Sequence, residues 1–100
     1  MKLSKAAEKI ADETGTDMET AETMARQLQN MHPDLMNAVE AWYQGNEMQF
    51  ETHGVSLSMI REKEHCTHVQ ALLRMNLLLN RPQLLPGYPS WVPGNKDRGR

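Results

Sequence analysis

The sequence predicts an all-α, or mainly α, fold: a small bundle of four to five helices around a central buried helix at 67–80. Three observations carry that prediction. The stretch Cys66–Asn80 reads CTHVQALLRMNLLLN, apolar around most of a helical circumference, as in an element covered on nearly all sides. Upstream, apolar residues recur three and four apart, the helical spacing. Gly15, Pro33, Gly45 and Gly54 fall between these periodic stretches, where helix breakers belong.

A length of 100 residues suits one domain with one modest core. The expected domain is 1–94, followed by a disordered basic tail at 95–100. Only five aromatics are present, so the core must rest on Leu, Met, Ala and Val. The eight methionines read as fillers of irregular gaps, a residue type that also serves adaptable binding surfaces.

Net charge is −2, unevenly placed. Residues 10–60 hold nine acids against Arg26 alone, whereas residues 61–100 hold seven bases against Glu62, Glu64 and Asp97. An acidic front half disfavours a broad phosphate-binding face. Cys66 is the only cysteine, which fits a reducing compartment. The start MKLSKAAEKIADE lacks the apolar core of a secretory signal, and Ala71–Leu79 is too short for a membrane span. These features predict a cytoplasmic protein that does not engage membranes.

Residues 3–14 read as a short amphipathic helix capped by Ser4 and stopped by Gly15. Thr16-Asp17-Met18-Glu19 reads as a capping box. It opens a helix over 17–31 with Met18, Ala21, Met24, Ala25, Leu28 and Met31 on one stripe. His32-Pro33-Asp34 starts a third helix, lined by Leu35, Ala38, Val39 and Trp42 and closed by Gly45. The alternation at 47–53 is a strand signal, while the Asn46–Gln49 spacing also matches the cap of a further helical turn. No other stretch looks a good partner, so the natural pairing is with the same strand in a second copy.

Residues 56–81 hold neither Gly nor Pro. They form either one helix or two, and the lapse of the apolar stripe at 61–68 favours two, with Thr67 capping the second. Pro82, Pro86, Pro89 and Pro93 then forbid a long helix. They predict an extended tail lying back over the bundle, anchored by Trp91.

Two constellations bear on function. His65, Cys66 and His68, with His53, offer ligand types for zinc, but the spacing matches no finger or knuckle. A Cys66–His68 nucleophile pair would diverge on a helix and lacks an orienting third group. No catalytic residue, cofactor or metal is therefore expected. The second constellation is apolar: Leu72, Leu73, Met75, Leu78, Leu79, Phe50 and Trp91 form an expected interface, because so apolar a helix implies more surface than one subunit covers.

The resulting expectation is a small regulatory or protein-interaction module, not an enzyme, acting as a homodimer. The alternative is a small DNA-binding regulator of ribbon–helix–helix or helix–turn–helix type. Element order and the basic residues Lys96, Arg98 and Arg100 support it. Against it stand the acidic strand positions Glu47 and Glu51.

Overall fold

Periodicity and end signals divide the chain into short helices. The computed structural model describes residues 2–84. Over them run α1 (Leu3–Thr14), α2 (Met18–Gln29), α3 (Met36–Tyr43), α4 (Leu57–Glu64) and α5 (His68–Asn80). A 3₁₀ turn at Pro33–Leu35 leads into α3, and another at Pro82–Leu84 follows α5. The fold is mainly α, as the sequence implies. The expected boundary at 94, the tail over the bundle and the Trp91 anchor lie outside the described residues.

The core is assembled around one side of α5. Val69, Ala71, Leu72 and Met75 are fully buried, and Leu78 nearly so. They meet Ile10 from α1, Leu28 from α2, and Leu35, Val39 and Trp42 from the third helical segment, all members of one apolar cluster. Each large aliphatic side chain buried in this way contributes roughly 1.5–3 kcal/mol. Ala6 and Ala7 of α1 and Ala21 and Ala25 of α2 are likewise buried. Such small side chains let two helix backbones approach closely.

Helix ends follow local chemistry, with two departures from the sequence reading. Helix α1 covers the expected 3–14, but Lys2 rather than Ser4 is its N-cap, without a side-chain bond. Asp17, not Thr16, caps α2: its carboxylate accepts from the Thr20 amide at 3.1 Å. A charged acceptor at the positive end of a helix outcompetes a hydroxyl. Thr16 instead shares a 3.0 Å hydrogen bond with the Thr14 hydroxyl. The Thr20 hydroxyl, and then its amide, hold the Asp17 carboxyl below the usual carboxylate range. The stabilisation from this cap is therefore present above the ordinary carboxylate pKa and is lost as pH falls through the lower folded value.

The segment 47–53 is the main correction. Strand character is confined to β1 (Glu51–Thr52), which pairs antiparallel with β2 (Val55–Ser56) of the same chain. His53 and Gly54 form the loop, both at positive φ (50° and 77°). Left-handed backbone at both central positions is what a two-residue hairpin needs. Histidine is one of the side chains that tolerates that region. The Leu57 amide adds a 3.2 Å bond to the Phe50 carbonyl, so the pairing expected from a second copy is made within the chain. The alternation survives: Met48 is buried and Phe50 half-buried, whereas Glu47, Gln49 and Glu51 face water. A strand of two residues also shortens the ribbon that the ribbon–helix–helix form of the DNA-binding alternative needs.

Residues 56–81 form two helices, as the lapsed stripe implies. Ser56 caps α4 through the Met59 amide at 3.1 Å, and His65 ends it in the left-handed conformation at φ 51°. Thr67 and Gln70 then form a reciprocal capping box at the start of α5. A side chain with a Cβ costs roughly 1–2 kcal/mol in that conformation. Replacing His65 by glycine should raise the stability measured by urea unfolding by up to about 1 kcal/mol, and His65→Val should lower it. A loss with glycine would show that the imidazole, not the backbone, sets this turn.

Candidate interaction surface and the Glu13 junction

The expected interface residues divide into two groups. Leu72 and Met75 are fully buried and Leu78 is 5 % exposed within a single chain, so they belong to its own core. Leu73, Leu79 and Phe50 are half-buried against that core. Trp91 lies outside the described residues. The most accessible leucine of α5 is Leu77, 41 % exposed, which the sequence reading did not single out. The signal was available, because Leu77 follows Leu73 by four residues and so shares its helical face.

Leu73 and Leu77 lie in a groove of about 530 Å³ between α2 and α5. Thr23, Arg26, Gln27 and Asn30 line it from α2, and Asn76 and Asn80 from α5. Two of the amides are oriented by the fold. The Asn76 Oδ1 accepts from the His32 backbone N–H at 2.7 Å, and the Asn30 Nδ2 donates to the Arg26 carbonyl at 3.1 Å. Arg26 is the one charged residue among those lining the groove.

Elsewhere, Glu13 joins three helices. Its Oε2 accepts from the Trp42 indole N–H at 2.7 Å, and its Oε1 accepts from the Val69 amide at 3.2 Å. The His68 Nδ1 lies 3.4 Å from the same oxygen. The carboxylate thus satisfies a buried indole and one orphan donor of α5 at that helix's positive end. Lys9 Nζ stands 5.3 Å from the Trp42 ring centroid, within cation–π range. Sequence reading expected Trp42 to be buried but had no signal for its partner, 29 residues away.

His65, Cys66 and His68 turn to different surroundings. His65 is exposed at the end of α4. The Cys66 sulfur lies 3.8 Å from the Ile60 carbonyl, and His68 meets Glu13. Among the described residues no three metal-ligating side chains are gathered in one place. Burial, and then the charge of Glu64, push the Cys66 thiol up, partly offset by Arg61. A thiol held protonated is a poor nucleophile near neutral pH. No family model, curated protein or solved structure matches this chain.

Two outcomes follow from this geometry. Glu13→Ala should destabilise the fold by about 1–3 kcal/mol, since it strands a buried indole N–H. A double-mutant cycle with Trp42→Phe should return a coupling of at least about 0.5 kcal/mol in denaturant unfolding. Strict additivity would mean the 2.7 Å contact contributes nothing. Separately, Cys66 should react with iodoacetamide at pH 8 more slowly than free cysteine, and the rate should keep rising as the pH is taken above 9.

Proposed function

We propose that this chain is a small, non-enzymatic protein–protein interaction module that works by presenting the α2–α5 groove to another protein. The observation that carries the reading is Leu77, exposed beside the half-buried Leu73 in a groove between two helices. A leucine pair rimmed by polar groups matches the apolar centre and polar rim of an interface. No helix among the described residues is long and apolar enough to cross a membrane. A reducing cytoplasm suits the single half-buried cysteine.

Charge asymmetry supports a second reading, a homodimer. The outer face of α2 carries Glu19 and Glu22 against Arg26, whereas Arg61, Lys63 and Arg74 of α4 and α5 exceed Glu62 and Glu64 by one, with Arg74 paired to Glu64 at 3.3 Å and Arg81 just beyond. In a two-fold pair the acidic side of each copy would meet the basic side of the other, twice over.

Leu77→Glu tests the first reading. Because Leu77 is already accessible, the variant should keep its unfolding midpoint while losing the proteins that the parent and a Lys5→Glu control retain on a soluble-extract affinity column. Identical retention by all three would remove the groove from the proposal. Sedimentation equilibrium tests the dimer, which should weaken as salt is raised. A monomer at high concentration and low salt would remove it.

A further inference from the structure

We infer that the α2–α5 groove receives the main chain of an extended peptide segment of another protein, with apolar side chains at alternate positions and at least one carboxylate. This rests on the interaction reading above and specifies its partner.

The lining carries the argument. Beside Leu73 and Leu77 stand four carboxamides, Gln27, Asn30, Asn76 and Asn80. A carboxamide places a donor and an acceptor side by side, the complement of a peptide group's C=O and N–H. A helical partner has already used its own main-chain groups and would ask for an apolar trough. Here the lining is mixed, with Leu73 and Leu77 interleaved among polar side chains that carry free hydrogen-bonding groups. An extended segment brings main-chain groups that still need partners.

The fold has oriented this hydrogen-bonding capacity in both senses. Asn76 uses its oxygen on the His32 N–H, which leaves its amide N–H groups. Asn30 uses its nitrogen on the Arg26 carbonyl, which leaves its oxygen. The carboxamides of Gln27 and Asn80 have no hydrogen-bond partner among the described residues.

The spacing agrees. Residues four apart on a helix, as Asn76 and Asn80 or Leu73 and Leu77 are, stand about 6 Å apart along its axis. The two-residue repeat of an extended chain is roughly 6.4–6.8 Å. Alternate peptide residues can therefore meet successive rungs of α5, side chains on the leucines and main chain on the asparagines. Arg26 assigns the partner a carboxylate.

The test begins with random twelve-residue peptides displayed on phage and selected against the full chain. The tightest selected peptide, fluorescein-labelled, is then measured by polarisation. Selected sequences should alternate aliphatic residues and include Asp or Glu. Binding should weaken by about tenfold or more in a Gln27→Ala/Asn80→Ala variant whose melting matches the parent's, a loss of the size expected for two hydrogen bonds. N-methylation at alternate peptide nitrogens should weaken binding in one register and leave the other intact. Failure to select a binder, indifference to N-methylation in both registers, or selection of sequences resembling residues 85–94 of this chain would overturn the inference. A selected peptide that binds as a helix would also overturn it, yet would leave the module reading standing if Leu77→Glu abolishes its binding. Binding untouched by Leu77→Glu would remove both.

Discussion

The Glu13 carboxylate is the contact on which the arrangement of helices depends. A mainly α chain of short helices has few long-range hydrogen bonds, because each helix satisfies its own backbone internally. What remains unsatisfied are the helix ends and the polar tips of large buried side chains. Glu13 meets one of each, the Trp42 indole and the Val69 amide, from the last turn of α1. A single side chain thereby ties α3 and the start of α5 to α1. Asn76 does similar work further along α5, tying it to the turn before α3 through the His32 amide.

With both halves of α5 held in this way, its leucines separate into two populations. Leu72, Met75 and Leu78 are drawn inside, while Leu73 and Leu77 are left along the groove with α2. An exposed Leu is ordinary in isolation. Its meaning here comes from its setting, between oriented amides and beside a lone Arg26. The same geometry explains why His65, Cys66 and His68 do not act together. The left-handed backbone at His65 ends α4 there, and the capping box at Thr67 starts a new helix.

Much of this was legible in the residues. The apolar spacing marked every helix, and the lapse at 61–68 marked the break between α4 and α5. Helix starts were less legible. Thr16 and Asp17 both make acceptable caps; the charged Asp17 serves, while the Thr16 hydroxyl is engaged with that of Thr14 at the end of α1. The hairpin at 51–56 was hidden because its turn is His53-Gly54 rather than the more usual Asn-Gly. Alternation at 47–53 identified the inward residues, Met48 and Phe50, but carried no information about what would pair with the backbone.

Local pattern therefore settled the class of fold, a count of four to five helices and the burial of Trp42, because helix formation and amphipathic burial are governed by residues three and four apart. The partners of Glu13 and Asn76, and the division of α5 between core and groove, depend on contacts between residues 29 to 56 positions apart. No periodicity spans such distances. A leucine on an apolar helix is equally suited to core or surface until its neighbours have been placed.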